Sequence, residues 1–137
     1  MTIKERQEQI IEDFSVFGEW LDKYEYIIEL GKSLPGLDDS KKTEDKLIKG
    51  CQSRVWLDCH IEDGKLWFDA DSDALITRGI IALLTGVYSG ATPQEILDDD
   101  FSFLDVLGLK ENLSPTRAGG LAAMIATIKR KAAESKF

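Results

Sequence analysis

The feature that most narrows the fold is the run of residues 53–61, where Arg54, Trp56, Asp58 and His60 alternate with Val55, Leu57, Cys59 and Ile61. A period of two puts the second set on one face, the mark of a half-buried β-strand. Asp63-Gly64 supplies a hairpin turn behind it, Leu66-Trp67-Phe68 returns as the partner strand, and Leu47-Ile48 adds a short third strand. A ribbon this small is marginal in water, so helices must cover one of its faces.

Both flanks carry helix patterns. Thr2 and Glu5 form a capping box ahead of Ile3, Ile10, Ile11, Phe14 and Phe17, which predicts an amphipathic helix over residues 2–17 with Gly18 at its end. A second helix over 20–30 turns Trp20, Tyr24, Ile27 and Ile28 inward and stops at Gly31, with Pro35 blocking a restart. Residues 33–45 are polar and read as a surface loop. The stretch Asp71 to Asp73 is placed to cap a third, central helix that carries Leu75, Ile76, Ile80, Leu83, Leu84 and Val87, with Gly79 allowing close packing. Thr92-Pro93-Gln94-Glu95 starts a short helix and Ser114-Pro115 a final one, striped by Leu121, Met124, Ile125 and Ile128 and ending in Lys129-Arg130-Lys131. The predicted class is α+β, with helices packed on a small three-stranded antiparallel sheet.

The length of 137 residues suits one domain, 1–137. No apolar run approaches the ~20 residues that span a bilayer, and the chain opens on a charged helix pattern instead of a signal peptide, so the cytoplasm is the expected compartment. A net charge of -8 argues against nucleic acid, whose phosphates select clustered cations. The run Asp98-Asp99-Asp100 reads as a solvated turn in preference to a metal site.

The chemistry concentrates on Cys51, in Lys49-Gly50-Cys51-Gln52-Ser53-Arg54. Glycine before the cysteine permits backbone angles other residues resist and lets another chain approach, while Lys49 and Arg54 favour thiolate over thiol. Their leverage on rate is small. Lowering a thiol pKa from about 8.5 to about 6.5 raises the thiolate fraction at pH 7 roughly 25-fold but costs about 10-fold in nucleophilicity. Positioning by a partner is worth far more. If the strand alternation ran back through Ser53, Cys51 would share the apolar face of Val55 and Leu57, tucking the thiol against the core at rest. Cys59, on that same face, reads as a small buried hydrophobe.

Five segments taken together resemble the SufE family of sulfur-acceptor proteins. They are Tyr26-Ile27-Ile28-Glu29-Leu30-Gly31 with Leu34-Pro35, then Gly50-Cys51-Gln52-Ser53 with Val55-Trp56, then Asp71-Ser72-Asp73-Ala74. Thr92-Pro93-Gln94-Glu95-Ile96 follows, and last Leu113-Ser114-Pro115-Thr116-Arg117 with Gly120-Leu121 and Ala123-Met124-Ile125. The resemblance implies an architecture related to IscU-like scaffold proteins. It also implies a persulfide on Cys51, received from a cysteine desulfurase (SufS- or CsdA-like) and passed to an iron-sulfur scaffold or another sulfur acceptor. It implies no cofactor of the chain's own, since pyridoxal phosphate belongs to the desulfurase. Gly50, Gln52 and Ser53 would support the loop, and Trp56 would be structural. Arg117 would reach the loop or the partner, unless it forms a salt bridge at the helix start. Asp73 matches a family position that helix capping also explains. Arg54 stands where the family often has Gln, and Thr116 where it often has Ser. Dimerisation is left open.

Other readings compete. A metal or iron-sulfur scaffold would draw on Cys51, Cys59, His60 and carboxylates, but adjacent strand residues such as Cys59 and His60 point to opposite faces. A cysteine hydrolase would need His60, the only histidine, as its base. A non-catalytic interaction adaptor, with Cys51 incidental, is the alternative that composition alone favours.

Overall fold

The computed structural model describes residues 1–135, so the last two positions of the expected 1–137 unit lie outside it. Helix α1 (Ile3–Ser15) starts on the expected capping box: Thr2 Oγ1 accepts from Glu5 N–H at 3.1 Å and Glu5 Oε1 from Thr2 N–H at 3.0 Å. It ends at Ser15, ahead of Gly18. Helix α2 (Trp20–Lys32) runs through Gly31 instead of stopping there. The glycine has a different use, because a Cβ on Gly31 would lie 2.7 Å from Gly79 N. It is a crossing point between helices.

Between α2 and the sheet the chain makes two short 3-10 turns, Asp39–Lys41 and Glu44–Lys46. Strands β1 (Val55–Glu62) and β2 (Lys65–Ser72) then pair antiparallel in continuous register, from Val55 opposite Ser72 to Glu62 opposite Lys65. The sheet has two strands, not three. Leu47 makes only an isolated bridge to Trp56, with Ile48 N–H donating to Val55 C=O at 2.8 Å. The reason is Gly50: at φ +96° it turns the chain away before a second pair can form.

The alternation holds where the hairpin meets the core and fails at its tip. Val55 and Leu57 are buried, Cys59 is half-buried, and Ile61 is 47% exposed. Trp56, expected on the open side, is 7% exposed. The preceding loop and Arg54 cover it, with Lys42 Nζ 5.3 Å and the Arg54 guanidinium 5.6 Å from the ring centroid. One carboxylate secures that loop. Asp71 accepts from Leu37 N–H at 3.1 Å and pairs with Lys42 and Arg78, each at 3.3 Å. Burial pushes its carboxyl upward, but the backbone donors and the two cations outweigh this and hold it below the ordinary aspartate range.

Helix α3 (Leu75–Tyr88) is the central element, buried nearly all round between α2 and β2. Its start corrects the capping expectation. Asp71 serves the loop, Asp73 serves Arg54, and Ser72 Oγ accepts from Ala74 N–H at 3.3 Å. Leu75 points outward. The far end of α3 is capped from α1, where Arg6 donates to the carbonyls of Val87 at 3.1 Å and Ser89 at 2.6 Å. Helix α4 (Pro93–Asp98) has the expected capping box, followed by short α5 (Phe103–Val106) and α6 (Leu109–Asn112). Helix α7 (Pro115–Glu134) starts on Ser114, whose Oγ accepts from Arg117 N–H, and packs against α4 and α3. It extends beyond Lys131. The architecture is α+β.

Two glycines of α3 make opposite predictions. A Cβ on Gly79 would collide with the Ile27 carbonyl, lying 2.7 Å from its carbon, whereas a Cβ on Gly86 meets nothing within 4 Å. Gly79→Ala should therefore destabilise the fold by about 1–3 kcal/mol through overpacking, and Gly86→Ala should stabilise it by about 0.5–1 kcal/mol through helix propensity. Urea midpoints of the two variants against wild type check both signs.

Candidate functional site

The loop that carries Cys51 is pinned at both ends. On one side lies the Leu47–Trp56 bridge. On the other, Arg54 N–H donates to Asp73 Oδ1 at 3.1 Å, Arg54 Nε to Asp73 Oδ2 at 3.1 Å, and Asp73 N–H to the Arg54 carbonyl at 3.3 Å. Between these anchors the loop lies against α7. Gly50 faces Ala123, so close that an added Cβ would sit 3.2 Å from the alanine methyl. The next residue, Cys51, is half-buried and its thiol donates to the Gly120 carbonyl at 3.5 Å.

Beside the sulfur is a cavity of about 40 Å³. Cys51, Gln52, Ser53 and Arg117 all line it, so the fold joins the cysteine loop to an arginine far along the chain. Thr77 and Ile80 of α3, with Thr116, Gly120 and Met124 of α7, complete the wall. Sequence reasoning did not assign these five to the site. Gly120 carried a signal, as a glycine inside a helix that is otherwise apolar on that stripe; Thr77 and Ile80 carried none, because α3 is apolar nearly everywhere.

The electrostatics reverse one expectation. Burial pushes the Cys51 thiol above the ordinary cysteine range, and no cation offsets it. Arg54 is engaged with Asp73 and Trp56, Lys49 is exposed, and the helix presents a carbonyl oxygen to the sulfur instead of an N–H. A thiolate in this position would face an acceptor. Arg117 is exposed and takes part in none of the ion pairs among the described residues, so the helix-start salt bridge is not formed. Arg54 and Asp73 hold the root of the loop and do not line the cavity.

The lining contains neither histidine nor carboxylate, which leaves a cysteine hydrolase without a base. His60 lies at the exposed end of β1, 3.8 Å from Glu62. Cys59 is half-buried opposite Phe68, its thiol also raised by burial, and both cysteines are free. Among the described residues no three His, Cys, Asp or Glu side chains converge as a metal site. Within the acidic run, Asp99 accepts from Tyr88 Oη at 2.6 Å and Asp100 from Ser102 N–H at 2.9 Å. Two of the three late cations are occupied too, Lys129 over the Phe101 ring at 5.0 Å and Arg130 with Glu134 at 3.6 Å. No helix of the described residues is long and apolar enough to cross a membrane.

Comparison with known proteins places this geometry in context. The solution structure of a hypothetical protein from Thermus thermophilus superposes with a TM-score of 0.77 over 95% of each chain at 20% identity, a likeness of fold alone. An uncharacterised SufE-like protein of Rhizobium etli is 42% identical over 91% of this chain and 88% of its own length. A second from Rhizobium meliloti is 42% identical over 91% of this chain and 93% of its own. The family model described as SufE, Fe-S metabolism associated domain, matches residues 8–132, and the chain belongs to the SufE family.

Proposed function

We propose that the protein is a sulfur acceptor and activator for a pyridoxal-phosphate cysteine desulfurase, carrying sulfur on Cys51 as a persulfide and delivering it to iron-sulfur cluster assembly. The observation that carries the reading is the setting of Cys51: a lone thiol on a pinned glycine turn, beside a cavity with room for one more sulfur atom and no catalytic base. Persulfide transfer needs no base of the acceptor's own. The Cys51 thiolate attacks the terminal sulfane sulfur of the donor's Cys–S–SH. The donor S–S bond breaks, its electrons leave on the donor thiolate, and that thiolate regains the proton that Cys51 gave up. The products are Cys51–S–SH and a free donor thiol, with no net redox change. The proposed compartment is the cytoplasm, where thiols stay reduced.

The resting geometry supports a division of labour. A protonated thiol held against the Gly120 carbonyl is a poor target for oxidants, which attack thiolates. Transfer then requires the partner to draw the loop outward, which frees the sulfur from both the low-polarity wall and the carbonyl. At a Brønsted slope of about 0.5, half of the thiolate population that burial removes is recovered, on a logarithmic scale, as nucleophilicity. Docking by the partner supplies the rest. Gln52, Ser53 and Arg117 are the side chains positioned to meet the partner or to hydrogen-bond the persulfide; the Arg54–Asp73 pair keeps the loop's far end registered.

Two measurements test this reading. Incubated with a cysteine desulfurase and cysteine, wild type and Cys59→Ser should gain the mass of one sulfur atom, removable by reductant, and Cys51→Ser should gain none. Equal addition in Cys51→Ser, or no addition in any variant, would return the adaptor reading to first place. The second measurement is alkylation by iodoacetamide. Because burial raises the thiol pKa, less thiolate is present at a given pH than in the unfolded chain. The native rate should therefore rise at higher pH than in urea, and at about pH 8 be slower. Adding the desulfurase should remove the lag; equal rates with and without it would refute the tucked resting state.

A further inference from the structure

We propose that the Thr77 hydroxyl binds the terminal sulfur of the Cys51 persulfide as an anion, on the α3 wall of the cavity, whereas the resting thiol is held on the α7 wall. The inference rests on the reading of Cys51 as a persulfide carrier. Among the other polar side chains that line the cavity, Gln52, Thr116 and Arg117 are exposed and Ser53 is half-buried; Thr77 is buried, at 8% exposure. Its hydroxyl takes part in none of the side-chain hydrogen bonds among the described residues. Nor is it sealed in without a partner, a condition found there only at Arg78 Nε. The hydroxyl therefore borders free space, and the cavity is the free space that Thr77 lines.

The place of Thr77 in its helix explains the free hydroxyl. The other two buried threonines, Thr85 and Thr127, each donate to the carbonyl four residues back, Ile81 at 2.9 Å and Ala123 at 2.8 Å. Four residues before Thr77 is Asp73, which precedes the N-cap Ala74, and the extended backbone at Ala74 takes that carbonyl out of the helical row. Ala74 also brings no side-chain oxygen, so the N–H groups of Leu75, Ile76 and Thr77 have no partner among the described residues. The first turn of α3 thus joins a free hydroxyl to the positive end of the helix dipole at this wall.

A thiol and a persulfide call for different walls. The Cys51 thiol is a donor, and the Gly120 carbonyl accepts from it. A persulfide S–H is more acidic than its parent thiol, because sulfur in place of carbon beside the S–H stabilises the anion. At neutral pH it gives its proton to solvent, and the terminal sulfur becomes an acceptor that a carbonyl repels. An anion drawn into a cavity is costly unless a donor meets it. Thr77 is that donor. The surrounding charges do not oppose it: although the chain carries a net charge of -8, no carboxylate lines the cavity, and Arg117 is the one charged residue that does. Asp73 is held by Arg54 at 3.1 Å, and Arg78 turns to Asp71 and the Leu34 carbonyl.

The test uses the full chain carrying Cys59→Ser, loaded with inorganic polysulfide so that no desulfurase is needed. The Cys51 thiolate attacks the terminal sulfur of the polysulfide; one S–S bond forms as another breaks, and the shortened polysulfide leaves with the electron pair. Intact mass confirms one added sulfur, and iodoacetamide alkylation against pH titrates the thiol before loading and the persulfide after it. Thr77→Val should raise the apparent pKa of the persulfide by about one unit or more, because a hydrogen bond to an anion favours the ionised form by that much. Thr77→Ser should stay near the parent, and neither variant should move the profile of the unloaded thiol. Thr77→Ala carries the comparison should Thr77→Val melt below the parent. An equal persulfide pKa with and without the hydroxyl, a serine variant that behaves as valine, or a thiol profile that shifts as far as the persulfide's would overturn the proposal. A Cys51 that takes sulfur from neither polysulfide nor a desulfurase would overturn both this assignment and the acceptor reading. A Thr77 effect in a chain that loads from polysulfide but from no desulfurase would support the assignment while sinking the acceptor reading.

Discussion

The contact on which the rest of the molecule depends is the crossing of α2 and α3 at Gly31 and Gly79. Two backbones meet there with no side chain between them, and α3 is drawn in until Ile27, Ile80, Ile81 and Leu84 are sealed from water. Sealing one such side chain is worth about 1.5–3 kcal/mol, so a displacement of this helix would cost many times more than the two glycines sacrifice in helix propensity. The position of α3 then sets the sheet, which packs on its other side, and the site, because Thr77 and Ile80 flank Gly79 and wall the cavity beside Cys51.

The cysteine loop and the clamp at Asp71 show how an acidic chain spends its few cations. Lys42 and Arg78 meet a nearly buried carboxylate, and Lys42 with Arg54 also covers Trp56, so the irregular segment before the sheet is held without a strand. None of these three cations is left to ionise the thiol. Burial therefore pushes the Cys51 thiol above the ordinary cysteine range with no cation beside it to offset the shift. The proposed persulfide role rests on this setting together with membership of a family associated with Fe-S metabolism.

Much of the fold was legible because it is written in local chemistry. The two Thr-Glu capping boxes, Pro93 and Pro115 at helix starts, and the Asp63-Gly64 turn act within a few residues of themselves, and each is where the pattern puts it. The misreadings have a common cause. Gly31 reads as a helix stop, since glycine is the usual residue past a helix end, until a second glycine arrives from elsewhere in the chain to explain it. Trp56 reads as solvent-facing until a loop folds over it. Asp73 reads as a cap until Arg54 claims it from across the loop.

The sequence by itself determined the main helices, the hairpin, the α+β class and the family, and it singled out Cys51 as the candidate centre, because periodicity, turn residues and an ordered set of motifs survive without coordinates. Only the tertiary structure decided that the sheet stops at two strands, that Arg117 joins Cys51 at one cavity, and that the thiol is raised, not lowered, by its neighbours. Lys49 and Arg54 are near Cys51 in sequence, yet what raises its thiol is burial against α7. Desolvation depends on how the chain packs in three dimensions, and no spacing of residues along the chain encodes it.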